Sequence, residues 1–330
     1  MAVAFTFPGQ GSQAVGMGKD LADAFPEARR VFEEVDDALG EKLSKLIWEG
    51  PEEALTLTAN AQPALMAVSL AGIRSLEARG FSLKDKVAYV AGHSLGEYSA
   101  LAAAGFVSVA DAARLLRIRG NAMQAAVPAG EGAMAAIIGL EQPDVEAACT
   151  EAATGSGKVC QIANDNGGGQ LVISGARAAV ELAAKLCTEK GAKRALMLQV
   201  SAPFHSALMA PAADVMREAL AGVTKNAPVV PVVSNVTVVP TSDPDEIARR
   251  LVEQITGRVR WRETVEWFGA NGVATLFEIG AGKVLSGLAR RINRDIATSA
   301  VGTPADVEAA LAALAQSTGD STPPVGRVFS

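Results

Sequence analysis

The chain has few of the residues that most often carry metal, redox or proton chemistry. Its 330 residues include two histidines, His93 and His205, and three cysteines, Cys149, Cys160 and Cys187. The cysteines are odd in number, lack metal-ligand spacing and sit among apolar residues, so they read as reduced core thiols. Long apolar runs are also missing. None approaches the ~20 residues that would span a bilayer. The N-terminus opens on the strand-like Val3-Ala4-Phe5-Thr6-Phe7 in place of a basic region followed by an apolar stretch. No membrane association is therefore expected, and a cytoplasmic location is. Positive charge is not in excess: Lys+Arg 30 against Asp+Glu 36 leaves −6, which argues against a nucleic-acid partner. With 49% hydrophobic and 20% charged residues, the chain can bury one large core or two unequal ones.

The most informative segment runs from Val87 to Glu97. A β-branched and aromatic run leads into Gly92-His93-Ser94-Leu95-Gly96, and an Ala/Leu-rich helical run follows. That is the strand–turn–helix context of a nucleophile elbow. The two glycines leave room for a turn so tight that the serine between them takes a strained backbone geometry, with its hydroxyl at a helix N-terminus. Ser94 is the candidate nucleophile.

A serine hydroxyl needs a base. His93 adjoins the nucleophile, and successive side chains at a sharp turn diverge, which leaves His205. It lies where a strand-like run breaks at Pro203 and a helical segment begins, a common place for a catalytic base. Hydrolases of this type place an acid and then a histidine near the C-terminus, yet more than a hundred residues follow His205. The acids from Asp111 to Glu189 mostly sit in polar or helical stretches with no motif. A neutral acceptor such as a backbone carbonyl is expected to hold the imidazole.

Strand-like runs at 3–7, 87–91, 229–234, 274–279 and 296–301 alternate with helical stretches, implying a mainly parallel sheet flanked by helices. Between 130 and 200 the rhythm becomes strand 133–139, helix 143–153, strands 158–163 and 170–174 joined through Gly167-Gly168-Gly169, helix 176–189 and strand 194–200. This β-α-β-β-α-β order is that of a ferredoxin-like unit. The expected α/β architecture is a large hydrolase-like domain, 1–129 and 201–316, with a small ferredoxin-like domain, 130–200, inserted into it and a loose tail at 317–330. The site is expected in the cleft between the two domains. Asn164 and Asn166, ahead of the triple glycine, are most simply hairpin turn residues, with the option of facing the cleft.

Arginine 119 is informative on geometry alone. On a helix over 109–123, residues Val109, Ala112, Ala113, Leu116, Gly120 and Met123 share a face, and Arg119 falls about 40° from its centre at roughly 100° per residue. A guanidinium at the edge of a buried face needs an anion, either an internal carboxylate or a substrate's. The glycine-rich segments Gly9-Gln10-Gly11 and Gly280-Ala281-Gly282-Lys283 lack the spacing of dinucleotide and phosphate-binding loops, so neither indicates a nucleotide cofactor.

Taken together, the chain resembles the malonyl-CoA:acyl-carrier-protein transacylase family of fatty-acid synthesis over nearly its whole length. The resemblance rests on Phe7-Pro8-Gly9-Gln10-Gly11-Ser12-Gln13, Gln62-Pro63-Ala64-Leu65, Gly92-His93-Ser94-Leu95-Gly96-Glu97-Tyr98, Arg117-Ile118-Arg119-Gly120, Ala202-Pro203-Phe204-His205, Gln254 ahead of Val259-Arg260-Trp261, and Phe277-Glu278-Ile279-Gly280-Ala281-Gly282-Lys283-Val284-Leu285. Ala281 departs from it, since many relatives carry proline there. The resemblance implies Ser94 as nucleophile, His205 as base, the main-chain carbonyl of Gln254 as the imidazole's acceptor, and the amides of Gln10 and Leu95 as oxyanion hole. It also implies Arg119 as the clamp on a malonyl carboxylate, with Gln62 at the substrate and Phe204 restricting space near the malonyl C2 carbon. Malonyl-CoA and an acyl carrier protein are then the partners, a monomer is expected, and no metal or redox cofactor is implied. Carrier proteins of this pathway are acidic, which directs attention to Lys193 and Arg194 and to Arg290, Arg291 and Arg294 as docking residues. A discrete acyltransferase of a polyketide synthase would share nearly every motif. A serine esterase or thioesterase would share the elbow but not the position of His205.

Overall fold

The computed structural model describes residues 2–200 and 202–316; the tail expected at 317–330 lies outside the described residues. Eleven strands occur among these residues: β1 Ala2–Phe7, β2 Tyr89–Gly92, β3 Gly132–Ile138, β4 Cys160–Gly167, β5 Gln170–Ala176, β6 Arg194–Met197, β7 Val232–Val233, β8 Pro240–Thr241, β9 Val259–Arg260, β10 Val273–Ile279 and β11 Ala297–Val301. They form a six-stranded sheet in the order β11-β10-β1-β2-β7-β8 and a five-stranded sheet in the order β6-β3-β5-β4-β9.

The large sheet is parallel from β11 to β7, and only the short β8 runs against its neighbour. Strand β1 lies in its interior, where Val3, Phe5 and Phe7 join the main core while Ala4 joins a second cluster around Trp261 and Phe268. Side chains of a strand alternate between faces, and covering both faces turns β1 into a continuous apolar run. β7 is much shorter than the strand expected over 229–234. Pro228 and Pro231 each remove a ladder donor there.

In the smaller sheet each neighbouring pair among β6, β3, β5 and β4 is antiparallel, and β9 adds to β4 in parallel. Its own core holds all three cysteines, which are free and buried. Because β9 comes from residues 259–260, this sheet is completed by a later stretch of the chain. Two ion pairs reinforce the junction: Arg262 Nε donates to the buried Asp165 at 2.9 Å, and Arg258 donates to Glu146 at 2.7 Å.

One local expectation is corrected here. Asn164 and Asn166 are not turn residues; both lie within β4, and the turn is made by Gly167, Gly168 and Gly169 at φ 73°, 60° and 76°. Asparagine is a poor strand former, but here the ladder is irregular beside both residues and their side chains are buried.

Candidate active site

Strand β2 ends at Gly92 and a helix begins at Gly96 (Gly96–Ala103). A Cβ on Gly92 would stand 1.9 Å from the backbone of Gly96, and one on Gly96 would stand 2.2 Å from the Phe7 carbonyl oxygen. Strand exit and helix entry thus pack backbone against backbone, where only glycine fits. Between them Ser94 has φ 53°, a left-handed conformation that costs a non-glycine residue about 1–2 kcal/mol. Distant side chains hold it there. The Ser94 amide donates to Asn235 Oδ1 at 2.9 Å, Gln254 Nε2 donates to the Ser94 carbonyl at 3.0 Å, and Asn235 Nδ2 donates to the Gly92 carbonyl at 2.7 Å.

His205 also occupies the left-handed region, at φ 54°. Its Nε2 lies 2.7 Å from Ser94 Oγ, and its Nδ1 lies 2.8 Å from the Gln254 carbonyl oxygen. A carbonyl can only accept, so Nδ1 carries the hydrogen and Nε2 presents a lone pair to the serine hydroxyl. Burial holds the His205 pKa down to about 3, with the positive charge of Arg119 acting in the same direction. The ring is therefore a neutral acceptor at neutral pH. His93 turns away, with its Nε2 2.8 Å from Asn166 Oδ1 and its ring centroid 5.6 Å from that of Trp261, and burial lowers its pKa as well.

Arg119 reaches Ser94 from the helix Val109–Ala125, where it is fully buried. Two motifs interlock to bring it there. Pro63, inside the buried helix Thr58–Glu77, has no N–H for the Ala59 carbonyl one turn back, and Arg117 Nη1 donates to that carbonyl at 2.7 Å instead. Gly120 packs so closely that a Cβ would stand 2.6 Å from Ala59 Cα. The docking sets Gln62 against Arg119, whose Nη1 donates to Gln62 Oε1 at 2.7 Å. Arg119 Nη2 donates to Gln254 Oε1 at 2.8 Å and to Ser94 Oγ at 3.2 Å. Its Nε has no hydrogen-bond partner among the described residues. The guanidinium lies over the Tyr98 ring, 5.6 Å from the centroid, and among the described residues it forms no ion pair with a carboxylate. Removing it from water without a directly paired anion is costly, and burial pulls its pKa down.

Ser94, His205 and Arg119 open on one cavity of about 470 Å³, lined also by Gln10, Gln62, Leu95, Phe204 and Arg291. A relay joins its far wall to the guanidinium: Gln62 Nε2 donates to Thr58 Oγ1 at 3.0 Å, and Thr58 Oγ1 donates to Gln10 Oε1 at 3.0 Å. Of the arginines and lysine named for docking, Arg291 alone lines the cavity. Arg290 instead donates to Thr298 Oγ1 of β11 at 2.7 Å, while Lys193 and Arg194 are exposed at and before the start of β6. The Gly280-Ala281-Gly282-Lys283 turn leads from β10 into the helix Val284–Ile292, whose first turn is bound from β10: Glu278 accepts from the amides of Leu285 and Ser286 at 3.0 and 2.7 Å. Asn235 and Glu97 complete the site and were not assigned from sequence, although Glu97 carried a signal in its place in the elbow motif; Asn166, expected at a turn with the option of facing the cleft, does line the cavity.

The chain matches the family model for the acyl transferase domain over residues 4–319. It is 48% identical over 312 residues to the malonyl CoA-acyl carrier protein transacylase of Bacillus subtilis (strain 168), covering 94% of this chain and 97% of that one. Among solved structures it resembles the acyl-carrier-protein-S-malonyltransferase of Bartonella henselae at 65% identity and a TM-score of 0.94, covering 96% of this chain and 100% of that one. A malonyl-transacylase solved in complex with its type II polyketide acyl-carrier protein matches at 45% identity and a TM-score of 0.91, over 95% of this chain and all of that one. The chain belongs to the acyl transferase family and, within it, to the malonyl CoA-acyl carrier protein transacylases.

Proposed function

We propose that this protein moves a malonyl group from malonyl-CoA to the phosphopantetheine thiol of an acyl carrier protein through a malonyl ester on Ser94. One observation carries the reading: a serine hydroxyl lies 2.7 Å from a neutral imidazole and 3.2 Å from a buried guanidinium that has no carboxylate partner among the described residues, inside one cavity. In the first half-reaction His205 Nε2 takes the Ser94 proton as Oγ attacks the thioester carbonyl. The amides of Gln10 and Leu95 receive the negative charge that develops on its oxygen, and such donors contribute about 3–4 kcal/mol each. The C–S bond then breaks, and the proton on Nε2 goes to the departing CoA sulfur. In the second half, the carrier thiol gives its proton to His205, its sulfur attacks the ester, and Ser94 leaves with that proton.

Arg119 grips the malonyl carboxylate, assisted by Gln62, while Phe204 limits bulk at C2. One thioester replaces another, so electrons and oxidation states are unchanged and the residues named suffice without a metal or redox cofactor. Exchange between thioesters has little driving force, and keeping water from the ester is the harder requirement. We read the catalytic unit as a monomer in the cytoplasm; no helix among the described residues is long and apolar enough to cross a membrane. Within that unit we read the segment 130–200 as a ferredoxin-like domain inserted into a hydrolase-like one, 1–129 and 201–316; the β6-β3-β5-β4 order supports this. Whether the carrier serves fatty-acid or polyketide synthesis is a property of the carrier.

The test is incubation with malonyl-CoA followed by mass spectrometry of the peptide containing Ser94. A malonyl adduct on Ser94, absent in Ser94→Ala, is expected. An adduct that persists in the variant rejects Ser94 as nucleophile.

A further inference from the structure

Gln254 does more than lend its carbonyl to His205. Its side-chain amide sits between two buried charges, with Oε1 accepting from Arg119 Nη2 at 2.8 Å and Nε2 donating to Glu97 Oε2 at 2.6 Å. Glu97 is 2% exposed and follows Ser94 by three residues, in the first turn of the elbow helix. We infer that Glu97 is the counter-ion of Arg119, held one amide away by Gln254 so that the guanidinium stays charged yet free to take a substrate carboxylate. This inference rests on the acyl-transfer reading above and names a positioning residue for it.

The argument is one of polarity. A buried guanidinium needs negative charge nearby, but a carboxylate in direct bidentate contact would occupy the N–H donors meant for substrate. An interposed amide meets both demands. Its oxygen faces the cation and its nitrogen faces the anion, and a flipped amide would set like poles together at both ends. The charges therefore lock the Gln254 side chain in one orientation. The locked amide also donates to the Ser94 carbonyl at 3.0 Å and lies 3.2 Å from Asn235 Oδ1, the group that receives the Ser94 amide. Glu97 thus supports the clamp, the strained elbow and, through residue 254, the base. Burial pushes the Glu97 pKa up to about 7, opposed by the hydrogen bonds from Gln254 and Asn235 and by the charge of Arg119, so it is mostly an anion by about pH 8.

The test compares Ser94 acylation by malonyl-CoA and by acetyl-CoA at about pH 8 in wild type, Glu97→Gln and the double variant Glu97→Gln/Gln254→Glu. The single variant removes the counter-ion, and the malonyl-to-acetyl rate ratio should fall about 10-fold. In the double variant the carboxylate sits directly on Arg119, and the ratio should fall about 100-fold although the pair's total charge is retained. A ratio unchanged in the double variant, or malonyl and acetyl rates falling together in both variants, overturns the inference and leaves Glu97 as structural support. Failure of wild type to take up malonyl on Ser94 overturns the acyl-transfer reading itself.

Discussion

The turns that carry Ser94 and His205 share one backbone conformation, at φ 53° and 54°, but the sequence builds them differently. At Ser94 the constraint is contact between backbones, because a Cβ on Gly92 or Gly96 would overlap main-chain atoms. At His205 no glycine flanks the turn. It is held by bonds: Ser206 Oγ donates to the Pro203 carbonyl at 2.8 Å, the Ala207 amide donates to Gln161 Oε1 at 3.0 Å, and the imidazole is tied to Gln254. A turn enforced by backbone contact must be written with glycine and can be read locally. One enforced by side chains from elsewhere in the chain leaves little local trace. Both direct a reactive side chain into the same cavity, and both depend on residue 254.

The largest separation between the two turns should appear in chemistry. His205→Ala removes the proton acceptor and should slow Ser94 acylation by about 10²–10⁴-fold, the usual contribution of a positioned base. His93→Ala, whose ring bonds Asn166, should cost much less. A larger loss for His93 would reverse the assignment. Next comes the clamp. Arg119→Ala should reduce malonyl transfer by roughly 30- to several-thousand-fold, equivalent to about 2–5 kcal/mol, and reduce acetyl transfer far less. Arg119→Lys should rescue only part, lacking the planar two-donor fork. An unchanged malonyl-to-acetyl ratio in Arg119→Ala would show that the guanidinium serves the fold alone.

How much of this was legible follows from the same contrast. The elbow was readable because glycine spacing and strand–helix context are local, and His205 because the chain holds one other histidine. Arg119 was readable from helical spacing. Asn235 was not, since its bonds to Ser94 and Gly92 span 141 and 143 residues and its own neighbourhood carries no motif. Asn166 does face the cleft, as the sequence allowed, but from within β4 and not from the turn, because strand propensity gave way to a tertiary partner, His93, 73 residues earlier. The pairing of β9 with β4 was likewise invisible, as a two-residue strand has no periodicity. Arg290 and Arg291 looked equivalent in sequence, yet adjacent helical residues diverge by about 100°, so that one meets β11 and the other the cavity.

Strain offers a finer test. At both turns glycine should be tolerated better than alanine, so Ser94→Gly should be more stable than Ser94→Ala, and His205→Gly more stable than His205→Ala, each by about 1 kcal/mol in denaturant unfolding. Alanine being as stable as glycine at either position would mean that no strain is stored there.

A further effect concerns acid. An unfolded histidine titrates near pH 6.5, whereas burial holds His205 neutral down to about 3. Between these values the unfolded chain binds a proton that the folded chain does not, so stability falls as pH drops below about 6.5. From His205 this amounts to at most about 2 kcal/mol by pH 5. Wild type should lose more thermal stability than His205→Ala between about pH 7.5 and 5; equal losses would mean that His205 is protonated in the fold.

The central claim, that Ser94 relays an acyl group to a thiol, is tested most directly by a chase. Malonyl-labelled protein freed of CoA is mixed with pantetheine, and malonyl-pantetheine and free malonate are followed together. The account predicts transfer to the thiol well ahead of hydrolysis, with the label leaving Ser94 as the new thioester appears. Release mainly as malonate, at a rate independent of added thiol, would contradict it and make the site that of an esterase.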